Sequence, residues 1–330
     1  KDSASVESES PHLTVGAFCF GLKSIHLTCF TFHTSRPSTL IELILSVGLA
    51  FIMLSLGLSL QPADFSRALG QPRALMGGAL AQLILLPLVA FGLLSLSGLD
   101  GDLALGIMIL SCCPGGITSN VMTRLSRGDV ALSISYTALA SLVTAFTLPV
   151  VLSLTAPLLL PSQTLELSIL PLSLKVFSIS TVPVVIGVWT AQQAPGFCKR
   201  NRQKAERLAN LLFVLIVAGT LISQWSVFTS NLKSIGPTLL ALNLLMLAIG
   251  LSLGKLLQMS TEQTTSLSIE AGFQNGTVGI VVGSLLGPDL MQSQLNSFSL
   301  PSAVYGVLMT VTILPFIAWR RSIKPMTTQP

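Results

Sequence analysis

Two short stretches of this 330-residue chain place polar side chains beside helix-breaking residues in the middle of apolar runs. The first is Cys112-Cys113-Pro114-Gly115-Gly116-Ile117-Thr118-Ser119-Asn120, and the second is Glu270-Ala271-Gly272-Phe273-Gln274-Asn275-Gly276-Thr277. Pro114 removes a backbone donor and the glycines relax the restraint on φ, so the spacing predicts a helix that opens at both places. Glu270 is the only acid deep in any apolar segment, Glu42 and Glu166 lying at segment starts. A carboxylate at the centre of a bilayer costs roughly 2.5–3.5 kcal/mol, so Glu270 needs a partner. No Lys or Arg stands in the core of its own segment or of those containing the first motif and residues 130–157, which leaves Lys175 or a bound cation. A monovalent cation about 4 Å from the carboxylate gains roughly 4 kcal/mol at an effective dielectric of 20. Ser119, Asn120, Ser133, Thr137, Gln82, Gln274 and Asn275 supply the oxygens that a hard cation prefers. Ser133 and Thr137, four residues apart, share one helix face. A proton on Glu270 is the rival occupant.

Composition implies that these residues are carried on helices buried in lipid. Hydrophobic residues make up 51% of the chain and charged residues 9%, against roughly 25% charge in a soluble domain. With a mean hydropathy of +0.77 this describes an all-α polytopic membrane protein. At roughly 20 residues per span, nine segments qualify: about 40–60, 74–97, 103–123, 130–157, 166–190, 208–227, 236–258, 264–287 and 297–319. A tenth candidate at 13–33 is interrupted by Lys23, His26 and His33. Residues 1–38 are read as an extension, a transit remnant or a degenerate first helix, 39–320 as one transporter-like membrane domain, and 321–330 as a cytoplasmic tail. The two broken segments lie five spans apart, and since five is odd a five-helix repeat would be inverted in the membrane. Gly279, Gly283 and Gly287, at four-residue spacing, read as a small-residue ridge for close helix contact.

Basic residues alternate between sides, as the positive-inside rule requires of short loops. Arg67, Arg73, Arg124, Arg127, the run 199–207, Lys255, Arg320, Arg321 and Lys324 fall on one side, and the lone Lys233 on the other. That pattern makes the C-terminus cytoplasmic. The net charge of +5 therefore reads as topology rather than nucleic-acid binding. The five cysteines show no zinc or redox spacing. A nucleophilic Cys112 or Cys113 would want a base, yet His12, His26 and His33 are the only histidines and all lie in the N-terminal stretch, so an enzyme is not expected. A sensor that binds without transporting is the remaining different class.

The run CCPGGITSNVMTRLSRGDVALSISYT (112–137), with EAGFQN (270–275) and LGLSLQPADF (56–65), resembles the bile acid:sodium symporter family over about residues 40–320. The resemblance implies nine or ten helices built as inverted five-helix repeats, a panel domain, and a core domain in which two discontinuous helices cross. Carried over by motif position, one sodium site would use Ser119, Asn120, Ser133, Thr137 and Glu270. A second would use Gln82, the Glu270 carboxylate, Gln274 and the backbone carbonyls of Ala271 and Phe273. The substrate would lie by the opened helix ends, near Gly116, Ile117, Thr118 and Asn275. Ile117 departs from the hydroxyl residue that many relatives carry there, which makes that contact apolar or shifted. The implied activity is sodium-coupled symport of an organic anion, bile-acid-like or a smaller carboxylate or sulfonate, with two sodium ions per cycle. A proton-coupled or uncoupled carrier is the alternative. The expected partners are sodium ions, a small organic anion and lipid, with no cofactor beyond the coupling ion and no nucleic acid. A cell membrane, or a plastid envelope, is the expected site.

Overall fold

The computed structural model describes residues 37–60, 66, 70–160, 169–286 and 297–323, and every described element is helical. The candidate helix at 13–33, the 1–36 part of the N-terminal segment, the Gln61–Phe65 part of the third motif, Glu166 and Gly287 lie outside the described residues. Among the described residues, six helices are long and apolar enough to cross a membrane. These are α2 (Pro72–Ser97), α5 (Val130–Leu159), α6 (Leu170–Gln193), α7 (Pro195–Ser223), α8 (Trp225–Leu256) and α11 (Leu300–Ser322). Helix α1 covers Pro37–Ser59.

The third and eighth apolar segments are each interrupted. The third splits into α3 (Gly101–Ser111, 11 residues) and α4 (Ile117–Leu125, 9 residues). The eighth splits into α9 (Thr261–Gly272, 12 residues) and α10 (Gly276–Leu286, 11 residues). At 1.5 Å per residue none of these four pieces spans a hydrocarbon core of about 30 Å alone. The chain is non-helical at 113–116 and 273–275, where Pro114, Gly115 and the QN pair fall.

The helix starts follow local chemistry. Ser260 and Gln263 form a reciprocal capping box at α9, with Ser260 Oγ accepting from the Gln263 N–H at 3.2 Å and Gln263 Oε1 accepting from the Ser260 N–H at 3.0 Å. Asp129 accepts from the Leu132 N–H at 3.1 Å at the start of α5. Two helices widen into a π-helical turn, Leu80–Leu85 in α2 and Phe177–Thr181 in α6, each two residues ahead of a proline, Pro87 and Pro183. The proline ring crowds the carbonyl four residues earlier and removes the N–H that would bond it. The turn in α2 carries Gln82.

Three boundaries differ from the sequence reading. The basic run 199–207 is no loop but the opening of α7, which starts with Pro195 and carries an Arg202–Glu206 ion pair of 2.8 Å one turn apart. Lys233 likewise lies inside α8, because α7 and α8 are separated only by Gln224. Arg320 is not a loop cation. It is 7% exposed, its Nε donates to Thr265 Oγ1 at 2.9 Å, and a terminal nitrogen donates to the Thr261 carbonyl at 2.7 Å, tying the end of α11 to the start of α9.

Helix α1 packs chiefly on α6 and α7, while α8 packs on α9, and α5 contacts α3, α4 and α9. The α1–α6 crossing is built on glycine: a Cβ on Gly57 would lie 2.9 Å from Gly187 Cα, and one on Gly187 would lie 2.8 Å from the Gly57 carbonyl carbon. Gly187→Val is therefore expected to destabilise the fold by about 1–3 kcal/mol through overpacking. A lowered thermal midpoint checks this against Gly219→Ala, whose added Cβ would have nothing within 4 Å. Of the expected glycine ridge, Gly279 lies against the Ser302 side chain and Gly283 against the backbone of Phe298 and Ser299.

Candidate functional site

The two interruptions meet. The Asn275 N–H donates to the Pro114 carbonyl at 2.8 Å, so extended backbone from each segment satisfies the other. Helix α9 ends here and α4 and α10 begin here, which brings carbonyl ends and N–H ends of helices to one place.

Glu270, 5% exposed in the last turn of α9, is the centre of a hydroxyl cluster. Ser119 Oγ from α4 donates to Oε1 at 2.6 Å, Ser133 Oγ from α5 stands 2.5 Å from the same oxygen, and Thr137 Oγ1 donates to Oε2 at 2.9 Å. Each hydroxyl has one proton to give. Ser119 faces two acceptors, Glu270 Oε1 and the Gly116 carbonyl, both at 2.6 Å. Ser133 also faces two, Glu270 Oε1 and Asn120 Oδ1, the latter at 2.9 Å, and itself accepts from Thr123 Oγ1 at 3.2 Å. Ser119 and Ser133 thus each have one hydroxyl proton for two acceptor oxygens, and the Gly116 carbonyl also takes the Ser119 N–H at 3.1 Å. Such a group is suited to a cation, which binds several oxygens at once and asks none of them for a proton.

The amides form a second group beside the first. Gln82 Nε2 donates to the Cys113 carbonyl at 2.5 Å and to Gln274 Oε1 at 2.7 Å, and Gln274 Nε2 donates to the Ala271 carbonyl at 2.9 Å. Here donors and acceptors are matched. Phe273, 1% exposed, lies within the second interruption. The nine residues expected to hold cations therefore gather around one crossing, five joined through the carboxylate and its hydroxyls, and Gln82, Gln274 and Ala271 joined through amides.

Gly116, Ile117, Thr118 and Asn275 line a separate small cavity of about 20 Å³. That is room for about one water. Asn275 caps α10, its Oδ1 accepting from the Val278 N–H at 3.3 Å. Thr277, at the second residue of α10, lines the same cavity, and its buried Oγ1 has no hydrogen-bond partner among the described residues. The opposite wall is Ile52 of α1 with Asn210 and Phe213 of α7.

Thr123, Thr277, Asn210 and Phe213 are absent from the sequence-derived set. So is a support behind the site. Asn243 of α8 donates to the Gly272 carbonyl at 2.8 Å and to Tyr305 Oη at 3.1 Å, Tyr305 Oη donates to that same carbonyl at 2.8 Å, and Thr312 Oγ1 donates to Asn243 Oδ1 at 2.6 Å. This network fixes the orphan carbonyl end of α9 and with it the turn that carries Glu270. Asn243→Ala takes one of two donors from the Gly272 carbonyl, which keeps Tyr305, and leaves the Thr312 hydroxyl the Leu308 and Met309 carbonyls of its own helix, at an expected cost of about 0.5–1.5 kcal/mol. Thermal unfolding checks this, and a midpoint no lower than that of Asn231→Ala, where the half-buried side chain bonds only within its own helix, would show the network to be idle.

Cys112 and Cys113 are buried beside the first interruption. Among the described residues no cluster of His, Cys, Asp or Glu resembles a metal site of that kind.

The sequence model described as the Sodium Bile acid symporter family matches residues 46–236. The chain is 30% identical over 293 residues to the uncharacterized sodium-dependent transporter YocS of Bacillus subtilis, covering 87% of this chain and 86% of that protein. It is 30% identical over 237 residues to the probable chloroplastic sodium/metabolite cotransporter BASS2 of Oryza sativa subsp. japonica, covering 72% of this chain and 55% of that one. The rat hepatic sodium/bile acid cotransporter is 26% identical over 301 residues, 88% of this chain and 80% of the relative.

Proposed function

This chain belongs to the sodium bile acid symporter family, and on that footing we propose that it is a secondary active transporter which couples sodium binding at Glu270 to uptake of an organic anion. The relatives are transporters rather than enzymes, and their names span sodium/metabolite, sodium/bile acid and organic anion transport. The chain is an integral membrane protein that crosses the bilayer several times. In our reading it makes nine spans, α3 with α4 and α9 with α10 each counting as one, and the two broken spans are equivalents in inverted five-helix repeats. Helices α1, α6 and α7 form the panel and the others the core, with the C-terminus cytoplasmic and a cell membrane as the site. A plastid envelope is the alternative compartment.

The observation that carries the proposal is the buried cluster of oxygens around Glu270 Oε1, where Ser119 and Ser133 each have one hydroxyl proton for two acceptors. Sodium at that cluster would pull α4, α5 and α9 together. A second sodium would use Gln82, the Glu270 carboxylate, Gln274 and the carbonyls of Ala271 and Phe273 once the amides turn their oxygens inward. Two sodium ions with a monovalent anion move one net charge, worth roughly 2.3 kcal/mol per 100 mV.

The anion belongs at the N-termini of α4 and α10, where N–H groups and positive dipole ends converge. Thr277 offers a hydroxyl with no hydrogen-bond partner among the described residues, in place of the one that Ile117 does not provide. The cavity of about 20 Å³ is far too small for an organic anion. Its outer wall, Ile52 with Asn210 and Phe213, belongs to α1 and α7, so rocking of the panel against the core would open it. That motion is the alternating-access step.

The test is uptake of a bile acid, a small carboxylate and a sulfonate into proteoliposomes under inward sodium or potassium gradients. Accumulation with sodium alone is expected. Accumulation that follows a pH gradient instead would make this a proton-coupled carrier, and binding without accumulation would make it a sensor. Thr277→Val, nearly isosteric, is expected to raise the substrate concentration for half-maximal uptake roughly tenfold or more, since a hydrogen bond to a charged group is worth about 1.5–3 kcal/mol. The sodium response without substrate stays unchanged.

A further inference from the structure

A cavity of about 200 Å³ lies on the other side of the crossing, between α2, α5 and α9. Its walls are apolar, formed by Ala79 and Leu83 of α2 and by Leu139, Ala140 and Val143 of α5. Among the described residues Glu270 is the only charged one that lines it, with Gln82 and Gly115 beside it. Glu270 is 5% exposed and Val143 40% exposed, so the carboxylate forms the inner end and Val143 the mouth. That mouth continues into outer faces made of Met76, Leu80 and Ile84 on α2 and Phe146 and Val150 on α5, all exposed and apolar. In a bilayer this face meets hydrocarbon, and the cavity gives lateral access from lipid to the carboxylate.

We propose that this cavity is a binding site for a small amphiphilic organic cation, an ammonium group on an apolar body, which reaches Glu270 from the bilayer and competes with sodium. The competition rests on the reading of Glu270 as a sodium ligand, while the occupancy itself does not. Charge complementarity selects the occupant, because a lone carboxylate at the end of an apolar channel disfavours an anion and gives a neutral molecule no advantage. A carboxylate offers about four acceptor positions, and three are occupied by Ser119, Ser133 and Thr137. One acceptor position is left for an ammonium proton. The volume is below the roughly 300 Å³ floor of drug-sized pockets, so the body is short. A bare inorganic cation does not enter by this route, since it does not partition into hydrocarbon.

The probe is n-hexylamine, which stays protonated at neutral pH as a lysine does, with n-hexanol as its neutral counterpart. Both are titrated against the protein in nanodiscs while thermal unfolding is followed, first in potassium alone and then across a sodium series. The expected result is that the amine raises the midpoint in potassium, and that it shifts the sodium concentration for half-maximal stabilisation upward by roughly threefold or more, as mass action requires of competitors. The alcohol does neither. Val143→Phe at the mouth and Ala140→Phe deeper in are expected to lose the amine effect and keep the sodium effect. Positive charge that the amine lends to the bilayer surface acts on wild type and variants alike, so the variants separate it from occupancy. Equal effects of alcohol and amine, or an amine effect that survives both variants, overturn the proposal. If sodium itself has no effect on wild type, the transport reading fails, and the amine series in potassium still decides whether the cavity takes a cation.

Discussion

Glu270→Gln is expected to abolish sodium-driven accumulation while leaving a folded protein in the membrane. The amide keeps the shape of the side chain, and its oxygen still accepts from Ser119 and Ser133, which stand 2.6 and 2.5 Å from Oε1. What goes is the charge. A carboxylate and a monovalent cation about 4 Å apart gain roughly 4 kcal/mol at an effective dielectric of 20, which at about 1.4 kcal/mol per tenfold is nearly three orders of magnitude in affinity. Without sodium the variant is expected to be at least as stable as wild type, because a buried charge is replaced by a neutral group of similar volume. The check is uptake and the thermal midpoint in sodium and potassium: loss of the sodium increment with an intact potassium midpoint is the expected pair. Sodium-dependent uptake within tenfold of wild type would remove Glu270 from the mechanism.

Gly115→Ala is expected to be nearly as damaging, for a steric reason that its neighbour does not share. A Cβ on Gly115 would fall on Glu270 Oε2 and lie 3.2 Å from Thr137 Oγ1. The carboxylate must move to admit the methyl group, which separates it from Thr137 and costs about 1–3 kcal/mol in overpacking. A Cβ on Gly116 would meet nothing closer than Thr118 Oγ1 at 3.5 Å, an ordinary contact. Sodium-induced stabilisation is thus expected to be lost or weakened at least about tenfold in Gly115→Ala and kept in Gly116→Ala, since a misplaced ligand loses most of its Coulombic gain. Equal behaviour of the two variants would mean that the space beside Oε2 is not used.

The centre of the site was legible because it is written in local pattern. Ser133 and Thr137 are one turn apart on one face of α5, and the Pro-Gly-Gly and Gln-Asn breaks lie within a few residues of Ser119 and Glu270, so local pattern marks each contributor, while packing of α4, α5 and α9 brings them together. The support behind the site is different. Asn243 is a lone polar residue in the apolar run LLALNLLML, and that isolation was the available signal. Its partners Gly272, Tyr305 and Thr312 come from α9 and α11, and no local rule pairs them. Thr277 carried less of a signal still, because an unpartnered hydroxyl is visible only once its surroundings are known.

Helix ends were misplaced where charge was taken as the end of a helix. Composition marks where lipid stops, and α7 and α8 continue past that border with charged residues on their outer turns, as the positions of Lys199 and Lys233 make plain. Arg320 shows the converse. Its position near the end of α11 suggested a solvated topology signal, yet hydrogen bonds to Thr261 and Thr265 keep it buried. The glycine contact between α1 and α6 was silent in sequence, since Gly57 and Gly187 are brought together only by the packing of two distant helices.

Saturable binding of radiolabelled sodium to the purified protein, with unlabelled sodium or potassium as competitor, tests the central claim without a substrate having to be known. Wild type is expected to bind sodium that excess sodium displaces and equimolar potassium does not, and Glu270→Gln is expected to bind none above background. Equal binding by the two proteins, or displacement by potassium as readily as by sodium, would contradict a sodium site at Glu270 and the transport cycle built on it.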